Sequence, residues 1–89
     1  MHYVFIYSPS PAAIPGQSIS EQPAHRAWIK QLHDQKRIVI AGPFADDAGG
    51  MAIVSAASQA DAETLLREDP AIANRTFTAT VRALNIIYK

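Results

Sequence analysis

Two helix-like stretches, each held between short runs of β-branched and aromatic residues, restrict the fold of this chain more than any other feature. At about 100° per residue, His25, Trp28, Ile29 and Leu32 share one face of a helix running from about Glu21 to Lys36. A second helix, from about Gln59 to Glu68, puts Ala62, Leu65 and Leu66 on its apolar stripe, and Asp69 is the next position along it. Strand-like runs occupy His2 to Tyr7, Arg37 to Ala41, Met51 to Ser55 and Phe77 to about Ile87. The order is β-α-β-β-α-β in 89 residues, without repeat or linker, which reads as a single domain over 1–89. Each strand-helix-strand unit is expected to be a right-handed crossover between parallel strands, and the tight turn joining the units reverses the second. The expected α+β architecture is ferredoxin-like: one four-stranded antiparallel sheet with both helices on one face.

Local signals support these boundaries. Ser8 to Ser20 contains Pro9, Pro11, Pro15 and Gly16 and reads as a loop long enough to wall a pocket. Ser20 is the expected cap of the first helix, with Pro23 tolerated in its first turn. Gly42-Pro43 is expected to stop the second strand, and Gly49-Gly50 to close a hairpin. Ser58 with Asp61 reads as a capping box for the second helix. Asp69-Pro70 ends that helix, because a residue before proline avoids the α region, and Ala71 to Arg75 reads as a further helical turn.

Eight Lys and Arg balance eight Asp and Glu, and the basic residues are scattered, so nucleic acid is not an expected partner. The chain has no cysteine, which removes thiolate catalysis, disulfides and zinc ribbons. His2, His25 and His33 lack chelating spacings, so no metal is expected. No apolar run has membrane-spanning length and no leader pattern precedes the first strand, so a soluble cytoplasmic protein is expected. The strands are apolar on both faces: Val4 and Ile6 alternate with Tyr3, Phe5 and Tyr7, and Ile38-Val39-Ile40 and Ala52-Ile53-Val54 continue the pattern. Two helices cover one face of such a sheet, so the other predicts a homodimer packed sheet on sheet.

His25 and Asp69 are titratable residues on otherwise apolar stripes, where polar groups need partners. The expected topology brings the start of the first helix, the end of the second, and the 8–20 and 42–50 loops to one end of the domain. An imidazole and a carboxylate meeting there make a general base: Asp69 orients the ring through one nitrogen and the other takes a proton from substrate. Tyr7, Ser8, Gly42, Pro43 and Arg75 are the candidate pocket residues, Arg75 as the cation for an anionic substrate group. Proton return elsewhere on the substrate gives an isomerase; loss of a leaving group gives a lyase; neither needs a cofactor. A binding module in which the pair only hydrogen-bonds a metabolite, and a purely structural pair, remain open from the residues alone.

Gln22-Pro23-Ala24-His25, Leu32-His33-Asp34, Ala41-Gly42-Pro43, Ala62-Glu63 and Asp69-Pro70 resemble the YciI-like (YCII-related) family nearly end to end. The resemblance implies a dimeric α+β barrel with a His–Asp dyad, matched here by His25 and Asp69, as the proposed catalytic core. It further implies a small cyclic substrate of phenol, quinol or lactone type, with dehydrochlorination of a chlorinated hydroxyhydroquinone among the family's activities and a kinship to muconolactone-isomerase-like folds. Two departures bear on the substrate rather than the dyad. Ala71 stands where an aromatic usually follows the Asp-Pro, and the usual later glycine is replaced around Asn74 and Arg75.

Overall fold

The computed structural model describes residues 1–11 and 17–89. Strands β1 (His2–Pro9), β2 (Ile38–Pro43), β3 (Gly50–Ser55) and β4 (Phe77–Leu84) alternate with helices α1 (Pro23–Asp34), α2 (Gln59–Arg67) and the short α3 (Pro70–Ala73), and a 3-10 turn at Ile19–Glu21 precedes α1. The sheet order is β2-β3-β1-β4, with every neighbouring pair antiparallel. This is the ferredoxin-like α+β arrangement the element order called for. No described helix is long and apolar enough to cross a membrane.

Alternation along β1 sorts the sheet into two faces. Tyr3, Phe5 and Tyr7 are buried under the helices, opposite Val54, Ala52 and Gly50 of β3. Leu32 of α1 and Ala62, Leu65 and Leu66 of α2 close over them. The other face carries Ile6 and Ile40, exposed at 37% and 53%, and Phe44 beyond β2 is 43% exposed, so an apolar surface faces outward. A register irregularity between Ile38 and Ile40 lets Ile38 pair with Val54 and Ile40 with Ile53. The edge strand thereby contributes to both faces.

Several boundaries differ from the sequence reading. Ser8 and Pro9 belong to β1, paired with Thr78 and Phe77, so the loop begins later; its Pro15 and Gly16 lie outside the described residues. β2 continues through Gly42-Pro43, which pair with Met51 and Gly50. An edge strand tolerates this, since proline's missing N–H leaves no interior ladder bond unmade. Gln22, not Ser20, flanks the start of α1, and no side chain caps it; the Ser20 hydroxyl bonds Asp47 instead. α1 ends two residues before Lys36. Lys36 takes φ 62°, its N–H donates to His33 O and the Arg37 N–H to Leu32 O, both at 2.9 Å, a Schellman closure. Ser58 caps α2 as expected, accepting from the Asp61 N–H at 3.1 Å, and β4 stops at Leu84.

The β2–β3 hairpin is held by the Phe44 N–H donating to Gly49 O at 2.9 Å. Gly49 has φ 134°, and a Cβ there would lie 2.2 Å from the carbonyl oxygen of Tyr7. The glycine is therefore required twice, for its dihedral and for the close approach to β1. Gly49→Ala is expected to destabilise the fold by about 2 kcal/mol or more, read as a lowered midpoint in urea denaturation.

Candidate active site

Asp69 reaches the interior by leaving its helix. Pro70 disfavours the α region for the residue before it, and Asp69 is extended at φ −67° and ψ 123°. It is thus not the next member of the α2 stripe; it caps α3, where Pro70 takes the first position. Its Oδ1 accepts from the Ala71 N–H at 2.9 Å. Its Oδ2 is free to face α1 and β1, and accepts from two side chains at once: His25 Nδ1 at 2.7 Å and the Tyr7 hydroxyl at 2.8 Å. The carboxylate is wholly buried, and these three donors satisfy it.

His25 sits in the first turn of α1, on the face that also carries Leu32 to the core. Tyr7 stands edge-on to the imidazole with ring centroids 5.2 Å apart and planes at 73°, and Trp28 lies on the same helix with centroids 6.4 Å from it. A carboxylate oxygen only accepts, so Nδ1 carries the hydrogen, and in the neutral ring Nε2 holds the lone pair. Burial first, and then the Asp69 charge and hydrogen bond, push the Tyr7 hydroxyl well above its ordinary value of 10.0, so it stays protonated and donates.

A cavity of about 570 Å³ opens beside this cluster, between α1 and β2, with Tyr7 and His25 in its lining. Ile29, Ile38, Ile40 and Met51 make apolar walls. Beyond the cluster, Ser18 and Ser20 both donate to Asp47, joining the segment before α1 to the β2–β3 turn. Those bonds, Ser18's foremost, hold the Asp47 carboxyl below its usual range and position Ile19 and Ser20 at the cavity edge.

Residues 1–84 match the YCII-related domain. The chain belongs to the YCII-related family. Among solved structures this YCII-related chain is similar to the 5-chloro-2-hydroxyhydroquinone dehydrochlorinase TftG of Burkholderia phenoliruptrix AC1100, in complex with 2,5-dihydroxybenzoquinone. The TM-score is 0.74 at 20% identity, over 96% of this chain and 94% of that one. At that identity the likeness is one of fold. No curated protein gives a significant match to the chain.

In this YCII-related chain the sequence candidates separate into two groups. His25, Asp69 and Tyr7 are in direct contact, and Gly42 and Pro43 line the cavity with Tyr7 and His25. Ser8 and Arg75 do not line it. Alternation turns exposed Ser8 to the face opposite Tyr7. Arg75 is exposed at φ 62°, in the left-handed conformation that ends α3 and that glycine ordinarily takes. Arg26 and Lys30 line the cavity without having been singled out. The available signal was their i, i+4 spacing directly after His25.

Tyr7 makes the cluster sensitive to alkali. Above about pH 10 the unfolded chain releases this phenolic proton while the folded chain keeps it, so the unfolded state binds fewer protons and stability falls with rising pH, at up to about 1.4 kcal/mol per pH unit. Tyr7→Phe is expected to remove that slope, and at neutral pH to cost about 1.5–3 kcal/mol for the lost bond to a buried charge. Urea denaturation of both proteins across neutral and alkaline pH measures the two effects.

Proposed function

We propose that this protein is a cofactor-independent lyase or isomerase whose His25–Asp69 dyad acts as general base and acid on a small cyclic substrate of phenol, quinol or lactone type. The observation that carries the reading is the 2.7 Å contact between His25 Nδ1 and Asp69 Oδ2 beside an apolar-walled cavity. A fixed Nδ1–H tautomer leaves Nε2 to take a proton, and the nearby carboxylate stabilises the imidazolium that forms. Membership of the YCII-related family and the fold shared with TftG favour a dehydrochlorinase-like step. In that step one ring hydroxyl gives its proton to Nε2 and the imidazolium delivers it to the chlorine-bearing ring carbon, which gives the ketone form; a second ring hydroxyl then loses its proton as chloride leaves that carbon, so that the ring becomes a quinone and HCl is lost overall. With a substrate lacking the chloride, return of the proton to another ring atom isomerises it. Gly42 and Pro43 form part of the wall against which the ring would lie.

The same reading includes a homodimer through the open sheet face. Its support is the outward apolar surface that includes Ile6 and Ile40. A contact there would remove from water the apolar area that the helices leave bare.

Two outcomes are expected. With chlorinated hydroxyhydroquinones as substrates, His25→Ala and Asp69→Asn each lower kcat by about a hundredfold or more while circular dichroism stays native; retained turnover in either variant refutes the dyad, and ligand binding without turnover by the unaltered protein points to a binding module. Ile6→Glu places a charge on the open face and is expected to convert a dimer to a monomer in sedimentation velocity. A monomeric unaltered protein refutes the assembly.

A further inference from the structure

We infer that the cavity selects a ring compound bearing a negative charge, a carboxylate or ring oxyanion, and that Arg26 at its mouth is the residue that binds that charge. This rests on the catalytic reading above only for which end of the ligand meets His25.

The cavity lining is electrostatically one-sided. α1 contributes Arg26, Lys30 and His33 to it at i, i+4 and i+7, one stripe along the helix, and no Asp or Glu is among the described lining residues. The chain as a whole carries as many acids as bases, so the asymmetry belongs to this site and not to composition. The polar residues are also graded by depth. His25 and Tyr7 are buried at the inner side, whereas Arg26, Lys30 and His33 are exposed. The side chains between them are mostly aliphatic, with Met51, and offer a ring no hydrogen bonds; the Ser20 hydroxyl in the lining is engaged with Asp47.

The three basic side chains are not equivalent. Lys30 Nζ lies 2.8 Å from Asp34 Oδ2, one turn along the helix, and His33 Nδ1 lies 3.6 Å from Asp34 Oδ1. Asp34 therefore compensates both. The Arg26 guanidinium has no carboxylate partner among the described residues. A planar guanidinium with free donors beside an apolar slot suits bidentate binding of a carboxylate, or of two neighbouring ring oxygens that share a charge. The buried Asp69 charge adds polarity. It disfavours an anionic group at the inner end, so the ligand would enter with its charge toward Arg26 and a neutral hydroxyl toward His25. A cavity of about 570 Å³ leaves room for one substituted ring and ordered water.

The test uses two probes of the same ring and nearly the same size, the anionic 2,5-dihydroxybenzoate and the neutral 2,5-dihydroxybenzamide. Their affinities are measured by calorimetry for the unaltered protein, Arg26→Gln, and Arg67→Gln as a control on the exposed face of α2. The benzoate is expected to bind the unaltered protein about tenfold more tightly than the amide. Arg26→Gln should bring the two to near parity through loss of benzoate affinity, with amide binding unchanged, and Arg67→Gln should keep the original preference. Equal affinities in the unaltered protein, a preference that survives Arg26→Gln, or no benzoate binding at millimolar concentration overturns the proposal. Its failure is separable from that of the catalytic reading. A charge preference that depends on Arg26, together with turnover indifferent to His25→Ala, removes the dyad and leaves the anion site. Turnover that depends on His25, with both probes bound alike, does the reverse.

Discussion

A single buried carboxylate ties this structure together. Asp69 accepts from the backbone that starts α3, from a hydroxyl on the central strand β1 and from an imidazole on α1. Three elements remote in sequence are thus fastened at one point. Burying a carboxylate is costly unless its oxygens are satisfied, and here each donor also contributes to the fold. The Ala71 N–H would otherwise be an orphan at a helix start, and Tyr7 would otherwise bury a hydroxyl in an apolar layer. The site's geometry is therefore set by the same contacts that close the core over the end of the sheet.

Much of this was legible in the sequence, and the failures have identifiable causes. Period 3.6 put His25 with Leu32 on the inner face of α1, and period 2 put Tyr7 with Tyr3 and Phe5 under the helices. Element order then brought His25 and Asp69 together through topology alone. Asp69 was placed inside for the wrong reason: it follows α2 instead of extending it, and its burial comes from capping α3. The bond from Tyr7 to Asp69 spans 62 positions, and no local pattern encodes it. The Ser18 and Ser20 bonds to Asp47 likewise join positions that no local pattern links, and Ser20, which reads as a helix cap in the sequence, gives its hydroxyl to Asp47 instead. Arg26 lies off the apolar stripe of α1 and is exposed, and that stripe says nothing of the cavity beside it.

The two departures from the family pattern take on physical meaning in the structure. Arg75 holds a positive φ, a conformation that glycine takes without strain and that costs a residue with a Cβ some conformational energy. Ala71 is buried against the core and donates its N–H to Asp69, a role that belongs to the backbone and is indifferent to the side chain. Neither change reaches the imidazole.

β2 has a consequence beyond its own pairing. Ile40 and the Ala41–Pro43 segment, which follow the irregularity after Ile38, line the cavity beside α1 and also a smaller hollow shared with Met51 and Phe44. A thin edge ribbon is the partition between the two. One short ribbon of residues is therefore wall to the inner hollow and floor to the outer one.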